Sequence, residues 1–246
     1  MERSASIVIP FHNEAECLPT LIAGMAEAVK PLSRCFEVLL VDDCSTDNSV
    51  QIVRQAAAQF QWLRLLQLKE RGGQTGAFLV GFAEATGEWI IRMDADLQDN
   101  PADLPAFLAK IDDGVDLVIG FRDERKHNFF DKLLTTTYDL FVLLLFNAPV
   151  RSFSGSFIAF RAGCVKDIPM RPNDHRYLPL IALRRGAARV EQVFVHHRRR
   201  DTGQSKYKTW KKILLGPIEL LRFFGRYHMG HYDLPQPGAP KNPSAG

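Results

Sequence analysis

GEWIIRMDADLQDNP, residues 87–101, runs from a β-rich apolar stretch straight into a cluster of acids. EWIIRMD has the tryptophan and isoleucines that fit a pleated strand buried on both faces. The strand stops on Asp94, Asp96 and Asp99, where like charges repel, so the cluster is either a solvated turn or the seat of something cationic. PADLPAFLAKI follows as a helix with proline at its start. A strand, an acidic loop at its carboxyl end and a helix leading away form one unit of a repeating pattern.

The same unit recurs on both sides of this stretch. SIVIPF is a strand, followed by a helical pattern from Glu14 to about Lys30; FEVLLVDD is a second strand, and the Ser45-Thr46-Asp47 turn can cap a helix running to about Phe60. WLRLLQL, a glycine-punctuated turn RGGQTG (71–76) and TGAFLVGFAEA supply a third strand and its helix, and VDLVIGF a fifth strand. Strand–helix units with nearly continuous apolar strands predict an α/β fold, its mostly parallel central sheet covered by helices on both faces. After Phe121 the rhythm changes: a long helix over 128–147, strands in SFIAF and ARVEQVFV, and a helix over 178–185 between them. TWKKILLGPIELLRFF (209–224) mixes basic and bulky apolar residues, with Gly216-Pro217 expected to kink or divide it. The expected organisation is a domain over 1–207, an amphipathic helical extension over 208–232 and a disordered Pro- and Gly-rich tail over 233–246.

With 246 residues, 46% apolar and 24% charged, the chain can bury a full core, which excludes wholesale disorder. The net charge is only +3, yet residues 184–212 carry ten Lys or Arg against Glu191 and Asp201. A basic segment facing an acidic cluster implies an anionic ligand between them. Cys17, Cys35, Cys44 and Cys164 show neither close pairing nor metal-type spacing and read as reduced thiols. No apolar stretch reaches the roughly 18 residues that a membrane span needs; LFVLLLF (140–146) comes nearest. A first strand from about Ser6 leaves no room for a signal peptide, so a cytoplasmic location is expected.

Ligands of open parallel sheets sit at the carboxyl ends of the strands. PFHNE ends the first strand, Asp42-Asp43 the second and Asp94-Ala95-Asp96 the fourth, and three such ends converging on acids and amides point to a site. Neither a Gly-x-Gly-x-x-Gly turn after the first strand nor a Gly-Lys-Ser/Thr phosphate loop is present, and RGGQTG alone is a weak signal. A divalent cation between carboxylates and phosphate oxygens remains as a way to hold a diphosphate, and Mg²⁺ or Mn²⁺ prefers oxygen ligands. Asp96, with Asp94 and Gln98, is the candidate ligand set.

VIPFHNE, VDDCSTD, GEWIIRMDADLQDNP and RRRDTGQSKY, in this order and spacing, resemble the family 2 glycosyltransferases, over about residues 5–210. Gly203, Ser205, Lys206 and Tyr207 match an element of the polyprenyl-phosphate subgroup, which includes dolichyl-phosphate mannosyltransferase and undecaprenyl-phosphate sugar transferases. The resemblance implies a GT-A fold and an inverting transfer from a UDP- or GDP-sugar to a lipid phosphate, dependent on Mg²⁺ or Mn²⁺. It places the nucleotide against Pro10, His12, Asn13, Glu14, Asp42, Asp43, Asp94 and Ala95, and the metal on Asp94, Asp96 and Gln98. Arg122 and Arg151, with Ser154 and Ser156, match the acceptor-phosphate region; Arg200 and Lys206 match groups that reach the diphosphate, so Asp96, Arg122, Arg200 and Lys206 carry the catalysis. Because the acceptor is already anionic, no general base is needed.

The chain departs from the family pattern in several places. His12 stands where tyrosine is usual, Cys44 where glycine is, Arg71 where asparagine is frequent, and Ser152 and Ile158 where an acid and an arginine are. The Lys and Leu/Phe faces of 209–224, with 140–146, imply peripheral association with the inner face of a membrane, and nucleic acid is not an expected partner. Two rival readings remain: a soluble hydroxyl acceptor, with Asp123 or Glu124 as base, and a non-catalytic nucleotide-sugar-binding scaffold.

Overall fold

The computed structural model describes residues 4–32, 35–121, 140, 142–146, 155–196 and 209–234, with backbone alone over 209–217. The sheet is built from β1 (Ala5–Phe11), β2 (Phe36–Asp42), β3 (Leu63–Gln67), β4 (Trp89–Arg92), β5 (Leu117–Phe121), β6 (Ile158–Arg161) and β7 (Val190–Phe194). Their order across the sheet is β3-β2-β1-β4-β6-β5-β7. β6 runs antiparallel to both β4 and β5, and every other pairing is parallel.

Alternation along the strands explains the two-sided burial. Ile7 and Ile9 of β1, with Val38 and Leu40 of β2, point to one core with Leu18, Leu21, Leu104 and Phe107. Val8, Leu39 and Val41 point to the other, with Phe78, Phe82, Leu178 and Phe223. Each strand therefore carries apolar side chains on both faces and reads as a continuous apolar run. Among the described residues the helices of seven residues or more are α1 (Leu18–Val29), α2 (Ser49–Ala57), α3 (Gly73–Glu84) and α4 (Leu104–Asp112), followed by Leu178–Arg184 and the C-terminal helix Thr209–His228. α3 lies close on the sheet, since a Cβ at Gly81 would come within 2.3 Å of Val8 Cγ1.

Some boundaries differ from the sequence expectation. α1 starts at Leu18 rather than Glu14, because Asn13 has a left-handed φ of 55° and Pro19 sets the first turn four residues later. The C-terminal helix is continuous from Thr209 to His228 and is not divided at Pro217. Beyond the proline, Leu220, Phe223 and Tyr227 are buried in the core, and such packing outweighs one missing backbone hydrogen bond. After that helix, Asp233 pairs with Arg184. Of the expected helix over 128–147, residues 140 and 142–146 are described and are helical.

Candidate active site

Chain order sets where the crevice opens. From β1 the chain steps outward to β2 and β3, then returns across β1 to β4. The loops leaving β1 and β4 thus diverge at a topological switch point, where open α/β sheets bind ligands. A cleft of about 280 Å³ lies there, lined by Pro10, Phe11, His12, Glu14, Asp43, Gln74, Asp94, Ala95 and Asp96.

One wall is the loop after β1, stitched to the loop after β2. Asn13 N–H donates to Ser45 Oγ (3.0 Å), Thr46 N–H to Asn13 Oδ1 (2.7 Å), and Glu14 N–H to Ser49 Oγ (2.9 Å). His12 Nδ1 lies 2.8 Å from the carbonyl oxygen of Asp43, so Nδ1 carries the proton of that bond. Asp42 is buried and accepts from Ser45 N–H (2.9 Å). Asp43, only 4% exposed, accepts from both Gly72 N–H (2.8 Å) and Gly73 N–H (2.9 Å), with Arg71 Nε 3.6 Å away. Gly73 needs its φ of 64° to turn both amides toward that carboxylate. Cys44, where the family pattern has glycine, keeps a left-handed φ of 56°.

The facing wall is the acidic loop. Asp94 Oδ1 accepts from Gln74 Nε2 (2.8 Å) and lies 3.9 Å from Arg92 Nη2. Asp96 Oδ1 accepts from Gln98 N–H (3.1 Å) across Leu97, which is left-handed at φ 63°. Asp99 is buried; its Oδ2 accepts from Asp94 N–H (3.1 Å) and its Oδ1 from Ser156 Oγ (2.7 Å). Three non-glycine residues at positive φ (Asn13, Cys44 and Leu97) thus stand around one cleft, a conformation uncommon for residues that carry a Cβ. Among the described residues no group of three or more His, Cys, Asp or Glu gathers to hold a metal ion alone.

Residues 6–168 match the sequence pattern of the family described as Glycosyl transferase family 2. The chain belongs to that family. As a family 2 glycosyltransferase it has a GT-A fold, and solved structures repeat it. Glucosyl-3-phosphoglycerate synthase from Mycobacterium tuberculosis, in complex with Mn²⁺, UDP and phosphoglyceric acid, superposes with a TM-score of 0.67 at 18% identity, over 96% of this chain and 81% of that one. The mannosyltransferase PcManGT from Pyrobaculum calidifontis, with GDP-Man and Mn²⁺, gives 0.64 at 20% identity, over 94% and 70%. S. aureus TarS with UDP-GlcNAc gives 0.64 at 20% identity, over 91% and 66%.

Of the residues expected at the site, this glycosyltransferase brings Pro10, His12, Glu14, Asp43, Asp94, Ala95 and Asp96 to one cleft. Asn13, Asp42 and Gln98 stand behind its walls through the hydrogen bonds above. Ser156, expected beside the acceptor phosphate, is buried with its hydroxyl on Asp99. Arg122, Arg151, Ser154, Arg200 and Lys206 lie outside the described residues. Ile158, where the family pattern has arginine, is a buried β6 residue.

Gln74 was not anticipated, although RGGQTG follows the end of a strand and the rule applied to the other loops covers it too. His175 was not anticipated either. It is buried beneath α3, with Nδ1 2.8 Å from Thr75 Oγ1, and its carbonyl accepts from Arg92 Nη1 (2.6 Å). Because Thr75 Oγ1 already accepts from Asn173 N–H (3.0 Å), its proton points to His175 Nδ1. Burial, with the charges of Arg92 and Arg176 beside it, lowers the His175 pKa to about 3 and keeps the ring neutral.

Proposed function

We propose that this glycosyltransferase binds a UDP- or GDP-sugar in the switch-point cleft and transfers the sugar, with inversion, to a polyprenyl phosphate at a membrane surface. The observation that carries the donor half is the pair Asp94 and Asp96 lining one cleft with His12, Glu14 and Asp43. The carboxylates supply hard oxygen ligands but too few for a complete protein cage, which suits Mg²⁺ or Mn²⁺ shared with substrate phosphates. Asp96 and Asp94 would hold the ion, with Gln98 adjoining; when bound it supplies charge neutralisation for the departing diphosphate.

Gln74 orients Asp94, and Ser156 acts through Asp99 to hold the loop rather than on the acceptor phosphate. A phosphate oxygen of the acceptor forms the new bond to the anomeric carbon. The bond to the diphosphate breaks, and its electron pair leaves with the nucleotide. Arg122, Arg151 and Ser154 are assigned to the acceptor phosphate, and Arg200 and Lys206 to the diphosphate. The Gly203, Ser205, Lys206, Tyr207 element supports the lipid acceptor, as do the exposed Leu140, Leu144, Ile218 and Leu221. Among the described residues no helix is long and apolar enough to cross a membrane, so the enzyme would meet the lipid at the surface.

A second reading has a soluble phosphorylated acceptor, favoured by the likeness to a synthase that holds phosphoglyceric acid. Calorimetry with UDP and GDP, each with Mn²⁺ and with EDTA, tests the donor half: one nucleotide should bind, and only with metal. Incubation of the matching nucleotide-sugars with polyprenyl phosphate in detergent, or with 3-phosphoglycerate, tests the acceptor. A lipid-linked sugar supports the first reading and a glycosylated phosphoglycerate the second. Tight metal-dependent donor binding with no product from either acceptor would favour a scaffold.

A further inference from the structure

At the end of the sheet opposite the Asp94–Asp96 cleft lies a second pocket of about 570 Å³. It opens where the start of β4 pairs with the end of β6, Trp89 facing Arg161, and Glu88, Cys164, Arg185 and Leu234 complete its main lining. It shares no lining residue with the donor cleft. Its volume falls within the range of about 300–1,000 Å³ typical of small-molecule sites.

Arg185 follows the helix Leu178–Arg184 and is 5% exposed, yet its Nε and Nη1 have no hydrogen-bond partner among the described residues. Its backbone is fully used: the N–H donates to Ile181 O (3.0 Å) and the carbonyl lies 4.0 Å from Cys164 Sγ. Arg161, the other cation of the pocket, is already paired with Asp116 (2.6 Å), and Glu88 is exposed. A guanidinium withdrawn from water, with the charge of exposed Asp167 near it but no acid hydrogen-bonded to it among the described residues, is unfavourable, and an acid entering the pocket would relieve that.

We propose that this pocket is an oxyanion site in which Arg185 pairs with the phosphate or carboxylate group of a small molecule whose apolar part rests on the exposed Leu234. The planar fork of a guanidinium matches either group through two parallel hydrogen bonds. The site is separate from the transfer chemistry and does not depend on the identity of the acceptor.

The test is thermal unfolding and calorimetry of the full chain in EDTA, with inorganic phosphate in one arm and acetate in the other. Wild type should show a saturable rise in Tm, and Asp96→Ala should retain it. Arg185→Met should weaken the response at least tenfold. Without anion it should unfold no lower than wild type, because an apolar side chain of similar length replaces a buried guanidinium whose Nε and Nη1 have no hydrogen-bond partner among the described residues. Arg185→Lys keeps the charge but loses the fork, and should bind measurably more weakly. A response to phosphate alone assigns a phosphate ester, and a response to both arms extends the site to carboxylates. No saturable response in wild type, or an equal response in Arg185→Met, would overturn the proposal. If the methionine variant does not fold, equal affinities of Arg185→Lys and wild type would do the same.

Discussion

Asp43 and Asp96 are both carboxylates at strand ends, but their surroundings give them different work. Asp43 is buried and ties Gly72 and Gly73 to the cleft, whereas Asp96 lines the cleft with one oxygen on Gln98 N–H. Asp96→Ala should therefore abolish metal-dependent nucleotide binding with Tm nearly unchanged, as calorimetry and thermal melts would show; unchanged affinity would exclude Asp96 as a ligand. Asp43→Ala should instead lower stability by about 1–3 kcal/mol, since two amide donors lose their acceptor. His175 yields a pH prediction with a defined sign. Its folded pKa of about 3 lies below the ordinary 6.5, so the unfolded chain binds a proton that the fold refuses. The stability this gives is complete above pH 6.5 and declines as pH falls toward 3. Glu37 is held to about 2: burial works against this, but the hydrogen bonds from Thr86, Ser6 and Arg64 outweigh it, so Glu37 acts only below its ordinary 4.5. Between pH 6.5 and 5 the loss assigned to His175 should approach about 2 kcal/mol. His175→Asn, whose amide oxygen can still accept from Thr75, should flatten the denaturation midpoints across that window. An unchanged slope would mean that the ring is not buried neutral. The acids of the cleft were legible because strand ends advertise them. His175 was not, because a single imidazole in RPNDHRYLPL carries no local sign of the threonine 100 residues away that fixes it.

At the scale of elements, the strands were the most legible part, since burial on both faces writes apolar runs that no turn interrupts. Helix boundaries were less so. Asn13 moved the start of α1, and tertiary packing carried the C-terminal helix through Pro217. The amphipathic pattern of that helix was readable, but the clamp after it was not. Asp174, 1% exposed, accepts from Arg226 Nη2 (2.6 Å), from Tyr232 OH (2.6 Å) and from Arg171 N–H (2.7 Å). Tyr232 OH in turn accepts from Arg226 Nε (2.9 Å) and its ring is fully buried. This network joins the turn before Leu178–Arg184 to the end of the C-terminal helix, and its members are distant in sequence. Tyr232→Phe keeps the ring and removes one donor to a buried carboxylate, so it should cost about 1.5–3 kcal/mol in chemical denaturation. A loss below about 0.5 kcal/mol would mean that the hydroxyl is dispensable to the clamp.

The whole molecule carries three kinds of surface: an acidic cleft at the strand carboxyl ends, the Arg185 pocket at the opposite ends, and apolar side chains on two elements that pack together. Phe146 lies against Phe223 and Tyr227, with ring centroids at 5.5 and 5.0 Å, joining the segment 142–146 to the C-terminal helix. Each partner still exposes leucines, Leu144 at 74% and Leu221 at 64%. A buried leucine gains about 1.5–3 kcal/mol over an exposed one, so a few such side chains in a headgroup region would hold the enzyme loosely, not permanently. Sedimentation with vesicles of mixed anionic and zwitterionic lipid should therefore show weak, reversible binding that falls as salt rises, because Lys211 and Lys212 add attraction to the anionic surface. Leu144→Asp combined with Leu221→Asp should reduce the bound fraction about tenfold or more, two buried leucines being worth at least that much. Nucleotide binding by calorimetry should stay unchanged, since neither leucine lines the cleft. Equal vesicle binding by the double variant would remove the apolar surface from the argument for a lipid acceptor. The phosphoglycerate-type reaction would then be the reading to pursue.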